Sequence, residues 1–261
     1  MSRSFAYCGE PSHPDRHLDV YMPIENGSHN VLLFIHGGAW TSNHRSQFAF
    51  IGEAMAEKYN IVTVIAGYRL SSKSESNGPD DWHPMHLKDV AASVEWTANA
   101  PRDLLGFAPS AIYLAGHSCG AQLAALLVLQ PGWLQPATLQ LIHGFVGIEG
   151  IYSIPNLAKR FPTYIQWFIQ YAFSADTQKW LEASPTHIDI HTTLPLHPQF
   201  RVLLVHSPDD ELVDIDQLVD FRNKLLDANV RVDSFTQING KHDDVLKLDQ
   251  LHNIIAEFIS H

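Results

Sequence analysis

Cysteine, basic residues and long apolar runs are all scarce in this chain of 261 residues. Its two cysteines, Cys8 and Cys119, cannot form a disulfide framework, so a reducing compartment such as the cytoplasm is expected. Lysine and arginine total 17 against 28 acidic residues, and the formal net charge of -11 disfavours binding to nucleic acid or to anionic lipid. The longest apolar run, residues 123–129, is far too short to span a bilayer. We therefore expect a cytoplasmic protein that binds neither nucleic acid nor membrane.

Signatures of a metal centre are also missing, although the chain contains 16 histidines. The pairs His83/His86 and His187/His191 lack further ligands at short spacing, and no HExxH motif is present. We expect these histidines to lie at the surface or in satisfied packing, and we expect no metal.

What the sequence does contain is a regular alternation of short apolar runs with longer segments of helical spacing. The apolar runs are typical of buried strands and span residues 31–35, 61–66, 111–115, 145–148 and 201–206, with a last strand at 231–238. The helical segments span residues 47–59, 85–100, 121–130, 214–228 and 244–260. This alternation predicts a single α/β domain over residues 1–261, with a mostly parallel sheet flanked by helices. Residues 4–7 and 17–21 are expected to add antiparallel strands at one edge.

One stretch, residues 150–198, is too long to be a plain connection. It contains an aromatic-rich helical segment with Tyr164, Trp167, Phe168, Tyr171 and Phe173. We expect a small cap inserted over the carboxyl edge of the sheet. Helical spacing alone favours simple packing on the domain beneath, and a substrate lid is the alternative.

A nucleophile is predicted in the segment Gly116-His117-Ser118-Cys119-Gly120, which lies between a predicted strand and a predicted helix. A G-x-S-x-G motif in that context is typical of a serine nucleophile held on a sharp turn. The flanking glycines allow the backbone to turn without Cβ clashes and so to present the Ser118 hydroxyl.

Such a serine needs a histidine base and a carboxylate that orients the histidine, because a free hydroxyl is a weak nucleophile near neutral pH. Asp209 and Asp210 both follow the predicted strand at 201–206, and His242 lies between the last strand and the last helix. Chain order and loop position predict His242 as the base, and either aspartate could supply the carboxylate.

Oxyanion donors are predicted in the segment His36-Gly37-Gly38-Ala39-Trp40, directly after the strand at 31–35. The backbone amides of Gly37 or Gly38, together with that of Cys119, would bind the negative oxygen of a tetrahedral intermediate. The Cys119 thiol is expected to point inward rather than to act as a second nucleophile.

The segments HGGAW, GHSCG, HSPDDELV and KHDDV resemble those of kynurenine formamidase (arylformamidase) of the α/β-hydrolase superfamily, most closely its fungal branch. The resemblance covers nearly the whole chain. It implies the α/β-hydrolase fold, and its H-G-x-x-D-x-x-V pattern implies Asp210 as the triad acid. It further implies hydrolysis of N-formyl-L-kynurenine to L-kynurenine and formate, in tryptophan degradation toward NAD, without a metal or organic cofactor, and it is compatible with a homodimer.

For the substrate, we expect Trp40, Tyr152 and the cap aromatics to stack on the kynurenine ring and Glu149 to pair with its ammonium group. Plain packing is an equally good interpretation of each of these residues. Two other functions use the same features: a general carboxylesterase or acylaminoacyl-type peptidase, and a non-catalytic ligand-binding protein on a hydrolase scaffold.

Overall fold

A single eight-stranded sheet organises the part of the chain that the computed structural model describes, namely residues 2–9, 13–23, 28–74, 78–100, 108–190 and 197–260. The strands are β1 (Ser2–Ala6), β2 (His17–Tyr21), β3 (Ser28–Ile35), β4 (Ile61–Ala66), β5 (Ala111–His117), β6 (Ile142–Ile148), β7 (Arg201–Val205) and β8 (Arg231–Phe235). Their order is β1-β2-β4-β3-β5-β6-β7-β8. The β1–β2 and β2–β4 pairs are antiparallel and all other pairs are parallel. The predicted α/β-hydrolase fold is confirmed, including its antiparallel edge.

Helices cover both faces of this sheet. They are α1 (Ala49–Tyr59), α2 (Met85–Asn99), α3 (Cys119–Leu129), α4 (Pro136–Leu141), α5 (Ile154–Arg160), α6 (Gln170–Phe173), α7 (Thr177–Glu182), α8 (Asp216–Asp227) and α9 (Asp249–Ser260). One apolar core lies between the sheet and α2, α3 and α8, and a second lies between the sheet and α1 and α9. Because both faces are covered, β4 and β5 are buried along their whole length. None of the helices in these segments is long and apolar enough to cross a membrane.

The last strand and the last helix are shorter than the sequence predicts, and His242 lies on the loop between them, as predicted. Strand β8 ends at Phe235 rather than near residue 238. The segment predicted as one helix begins with a 3₁₀ turn (Asp244–Lys247), and α9 follows only after the extended residue Leu248. These changes leave residues 236–243 as a loop, and His242 lies on it.

The segment predicted as a cap contains α5, a π-helical turn (Ile165–Ile169) that runs into α6, and α7. Phe173 and Phe168 pack on Trp40, with ring centroids 4.8 and 6.0 Å away. Trp167, by contrast, is 52% exposed. One side of the aromatic segment therefore packs on the domain, and the other side does not. Residues 191–196, and His191 with them, lie outside the described part of the chain.

Candidate active site

Ser118 lies on a tight turn between β5 and α3. Its backbone has φ 56° and ψ -122°, a strained conformation for a residue other than glycine. A Cβ atom at Gly116 would lie 2.3 Å from the carbonyl oxygen of Gly120, and one at Gly120 would lie 2.2 Å from that of Ile35. Strand and helix can approach this closely only because both positions are glycine. The turn is the strand-to-helix elbow that the sequence predicts around Ser118.

A pocket of about 190 Å³ opens above this turn. Ser118 and His242 both line it, so the elbow and the loop after β8 meet at one site. The other lining residues are Gly38, Ala39, Ser42, Asn43, Ile151, Leu157, Tyr164, Trp167, Phe168, Leu212, Val213 and Asp243.

Asp210 is the carboxylate that contacts His242. Nδ1 of His242 donates to Oδ2 of Asp210 at 2.8 Å, while Oδ1 accepts from the amides of Leu212 (2.8 Å) and Val213 (2.9 Å). Burial alone would raise the pKa of Asp210, but the hydrogen bonds from His242 and its other donors reverse this and hold it below its usual range. An imidazole that donates through Nδ1 keeps Nε2 as an acceptor. Asp209, the alternative acid, is exposed.

Both backbone groups of His242 are hydrogen-bonded, and these bonds fix the loop that carries this residue. The His242 amide donates to Oε2 of Glu211 at 3.1 Å, and its carbonyl oxygen accepts from Nε2 of His117 at 3.0 Å. His117 is buried, and burial lowers its pKa well below the ordinary value, so it is a neutral donor. The sequence did not predict a role for either residue, because the variable position of G-x-S-x-G and a loop glutamate belong to no pattern.

The predicted oxyanion loop lies against the nucleophile. A Cβ atom at Gly37 would lie 3.0 Å from Cβ of Ser118, and Gly38 has φ 120°, which favours glycine. The Gly38 carbonyl accepts from the amides of Thr41 (3.0 Å) and Ser42 (2.9 Å), whereas no described residue accepts from the Gly38 amide. This amide is therefore available to a ligand in the pocket.

Cys119 ties the oxyanion loop to α3. Its Sγ accepts from the amide of Trp40 at 3.4 Å, and the side chain is fully buried. Burial raises the pKa of this thiol to about 11, which keeps it protonated near neutral pH. Its backbone amide, directly after Ser118, is the group that the sequence predicts as an oxyanion donor.

The three side chains predicted to contact substrate are buried instead, and none is among the described residues that line the pocket. Nε1 of Trp40 donates to Oε1 of Gln122 at 3.0 Å, so this indole anchors the oxyanion loop on α3. Tyr152 stacks on Phe221 at 4.2 Å, in space that Gly147 and Gly150 leave open. Glu149 lies beneath the site, where its Oε1 accepts from the Ser207 amide at 2.9 Å.

Other residues take the places of these three. Tyr164, Trp167 and Phe168 form the aromatic wall of the pocket. Asp243, an exposed residue directly after His242, is the carboxylate at its rim. The aromatic residues of the predicted cap indicated the wall, but no sequence signal separated Asp243 from the other acidic residues of the KHDDV segment.

Among the residues that the structure describes, two groups of side chains could hold a metal ion by proximity: His117, His242 and Asp243 in one, and Glu149, His206 and Asp210 in the other. Several of the histidine and carboxylate atoms in both groups are already hydrogen-bonded. Nε2 of His117 donates to the His242 carbonyl, and Nδ1 of His242 donates to Asp210. Nε2 of His206 lies 3.0 Å from the Val213 carbonyl. An ion bound through these particular atoms would have to break these bonds, and that the protein binds no metal stays a prediction.

Comparison with known proteins identifies a family, fungal relatives and solved structures of the same fold. The family described as BD-FAE matches residues 18–225. The kynurenine formamidase of Meyerozyma guilliermondii is 28% identical over 90% of this chain and 86% of its own length. The kynurenine formamidase-like hydrolase FscH of Fusarium equiseti is 28% identical over 87% of this chain and 83% of its own. Esterase B of Lactobacillus rhamnosis has a TM-score of 0.79 at 17% identity, over 100% of this chain and 84% of that protein.

The relatives confirm the resemblance to fungal kynurenine formamidases that the motifs indicated. The likeness to esterase B shows the shared fold. Because the family match extends over most of the sequence, the chain belongs to the BD-FAE family of the α/β-hydrolase superfamily.

Proposed function

We propose that this protein is a serine hydrolase in which Ser118 is the nucleophile, His242 the general base and acid, and Asp210 the residue that orients His242. The observation that carries the proposal is the meeting of a strained Ser118 elbow with an Asp210-bound His242 in one pocket. Strain of this kind costs about 1–3 kcal/mol and is typical of functional sites.

The reaction follows from these roles. Ser118 Oγ attacks the carbonyl carbon of the substrate while Nε2 of His242 takes the hydroxyl proton. The amides of Gly38 and Cys119, with that of Gly37 beside them, bind the oxyanion. His242 then gives its proton to the leaving group, and a water molecule activated by the same imidazole releases the acyl group from Ser118.

For the substrate we propose N-formyl-L-kynurenine, which would give L-kynurenine and formate. Two fungal relatives bear the name kynurenine formamidase or kynurenine formamidase-like. The pocket also fits the leaving group: Tyr164, Trp167 and Phe168 offer ring faces to an aryl amine, and Asp243 offers a negative charge to the α-ammonium group. The sequence predicted Glu149 as the partner of the ammonium group, but Glu149 is buried, and we therefore propose Asp243 for this role.

A general carboxylesterase is the second candidate, because acyl-transfer enzymes share this machinery and differ in the leaving group. A non-catalytic binding protein is the third, and it conflicts with the presence of all three triad residues around the pocket. Turnover of N-formyl-L-kynurenine by the purified protein, measured beside short aryl esters, separates the first two candidates. Labelling by a fluorophosphonate tests the third.

We expect the wild-type protein to release kynurenine and to react with the fluorophosphonate. The Ser118→Ala variant should lose both reactions, with turnover lower by about 10⁴-fold or more. Ser110→Ala is the matched control, because Ser110 is exposed and does not line the pocket. Esters cleaved far faster than the formamide at matched concentration would contradict the formamidase assignment. A wild-type protein that does not react with the fluorophosphonate would contradict the enzyme itself.

A further inference from the structure

A second carboxyl group lies buried beside the proposed triad, and the mechanism above does not use it. Glu149 follows β6 with φ 48°, and its side chain is 0% exposed. One of its carboxyl oxygens lies within 4.8 Å of a carboxyl oxygen of Asp210 and of a ring nitrogen of His206. The conformation of the turn after β6 thus brings Glu149 underneath Asp210 rather than into the pocket.

The two carboxyl groups receive very different numbers of hydrogen bonds. Asp210 accepts from two backbone amides and from Nδ1 of His242. Glu149 accepts one hydrogen bond, from the Ser207 amide to Oε1, and Oε2 receives none from any described residue. A buried carboxylate oxygen without a donor is costly, whereas a protonated oxygen in the same place becomes a donor itself.

His206 does not supply the missing donor. Its Nε2 is 3.3 Å from Oε2 of Glu149 but closer, at 3.0 Å, to the Val213 carbonyl. Its Nδ1 is buried with no partner among the described residues, and burial lowers the pKa of His206. We therefore take His206 as neutral, with its one proton directed at the carbonyl, and not as an ion-pair partner of either acid.

Two adjacent carboxyl groups in a buried site do not both ionise, because each charge raises the cost of the other. The group with more donors, Asp210, ionises first, and Glu149 retains the proton. Burial raises the pKa of Glu149, and the neighbouring Asp210 raises it further. The other titratable groups that face Glu149 are His206, Glu211 and Tyr152.

We propose that Glu149 is a positioning residue that stays neutral and donates a hydrogen bond from Oε2 to Asp210. The bond holds the Asp210 carboxylate toward Nδ1 of His242 and leaves a single negative charge beneath the imidazole. The inference rests on the proposed triad. It adds a buried acid that acts through Asp210 and does not touch substrate.

The protonation state is tested without turnover, by infrared difference spectroscopy of the wild type against Glu149→Gln at pH 7. Glutamine keeps an acceptor for the Ser207 amide and a donor for Asp210. The wild type should show a carboxylic-acid C=O stretching band that Glu149→Gln lacks. If the band is absent, Glu149 is ionised and the proposal is wrong, whether or not the protein is an enzyme.

The positioning role is tested by the pH profile of kcat/KM on an aryl ester. Glu149→Gln should keep wild-type kcat within about 3-fold and leave the acidic limb unmoved, because no charge is lost. Glu149→Leu, which cannot donate, should lower kcat by about 10-fold, the value of one buried hydrogen bond to a charged group, with little change in KM.

If the acidic limb of the pH profile lay at lower pH in Glu149→Gln than in the wild type, the substitution would have removed a negative charge near His242. That result would overturn the proposal. Full activity of Glu149→Leu would overturn it as well. If Glu149→Leu does not fold, the acidic limb of the pH profile and the kcat of Glu149→Gln still test the proposal. A failure of the triad itself would appear separately, as a wild-type protein that does not react with the fluorophosphonate.

Discussion

Nε2 of His117 lies 3.0 Å from the carbonyl oxygen of His242, so the residue before the proposed nucleophile holds the loop that carries the proposed base. The two rings are 4.6 Å apart. The link spans 125 positions of sequence and joins the end of β5 to the loop after β8. This buried hydrogen bond therefore helps to set the distance between nucleophile and base, together with the bonds from His242 to Glu211 and Asp210.

We predict that His117→Phe lowers kcat by about 5- to 10-fold, the effect of about 1 kcal/mol, because phenylalanine has no donor for the His242 carbonyl. KM should change little, since His117 is not among the described residues that line the pocket. The control is His252→Phe, because Nε2 of His252 makes a comparable bond to the Leu246 carbonyl at 2.8 Å, outside the described lining of the pocket. Equal losses in the two variants would show a general effect on folding and would contradict the positional role.

Adjacent aspartates give a second prediction. Asp210→Asn should lower kcat by about 10³- to 10⁴-fold, because an amide at this position favours the wrong imidazole tautomer. Asp209→Asn should retain wild-type turnover, since Asp209 is exposed. Steady-state kinetics on one aryl ester tests both variants. A large loss in Asp209→Asn with an active Asp210→Asn would reverse the assignment.

The sequence was sufficient to predict the parallel sheet, its antiparallel edge and the chain order of the site, because strand periodicity and loop position are local properties. It was insufficient for side-chain direction at the strand ends. Trp40 has φ 59° and Glu149 has φ 48°, left-handed conformations that neither residue type favours. Each side chain is buried instead of facing the pocket, and no pattern of residue types signals this.

The same limit applies to contacts made across the fold. His117 and Glu211 bind the backbone of His242 from 125 and 31 positions away, and neither bond has a sequence signature. Spacing likewise left Asp209 and Asp210 equivalent, and only the resemblance to a known pattern favoured Asp210. What distinguishes them in the structure is the 2.8 Å contact of Asp210 with His242.

A third prediction concerns the oxyanion loop. At Gly38, φ is 120° and a Cβ atom would lie 2.2 Å from the carbonyl oxygen of Ser42. Gly38→Ala should therefore displace the loop amides and lower kcat by about 10²-fold, as expected when an oxyanion donor is lost. Fluorophosphonate labelling should slow in parallel, because it too builds negative charge on an oxygen.

Gly78→Ala is the control for this substitution, because a Cβ atom at Gly78 meets nothing within 4 Å. Its kcat and labelling rate should equal those of the wild type. An active Gly38→Ala variant with unchanged labelling would exclude the Gly38 amide from the oxyanion site.

The fourth prediction is acid destabilisation by two buried histidines, His36 and His86, and one half-buried histidine, His83. Burial lowers the pKa of His36 to about 4, and lowers those of His83 and His86 to about 3. In the unfolded chain they titrate near an ordinary value of about 6.5, so below that pH the unfolded state binds more protons than the folded state. The free energy of unfolding should fall as pH drops from about 6.5 toward 4, and urea titrations at several pH values measure it.

Two acids whose pKa values are raised by burial, Glu149 and Asp214, oppose this trend. The raised pKa of Glu149 contributes stability below about 4.3, its ordinary value, which is lost as pH rises. The histidine contribution is isolated by His83→Phe, which should reduce the slope of unfolding free energy against pH by up to about 1.4 kcal/mol per pH unit. His13→Phe, the same substitution at an exposed position, is the control. Identical slopes in the wild type and His83→Phe would show that His83 is not the titrating group.

The last prediction separates a kynurenine substrate from a simple aryl ester. Asp243 is the one carboxylate among the described residues that line the pocket. Apart from Asp243 and His242, these lining residues are aromatic, aliphatic or uncharged polar. Asp243→Asn should raise KM for N-formyl-L-kynurenine by about 2- to 5-fold, the range of an exposed ion pair, and added salt should reduce the difference. KM for a neutral aryl ester should stay unchanged, because the ester carries no ammonium group. Asp244→Asn is the matched control, since Asp244 is exposed, lies 3.5 Å from Nζ of Lys247 and is outside the described lining. An equal rise in KM for ester and formamide would mean that Asp243 acts on His242 rather than on the substrate's positive charge.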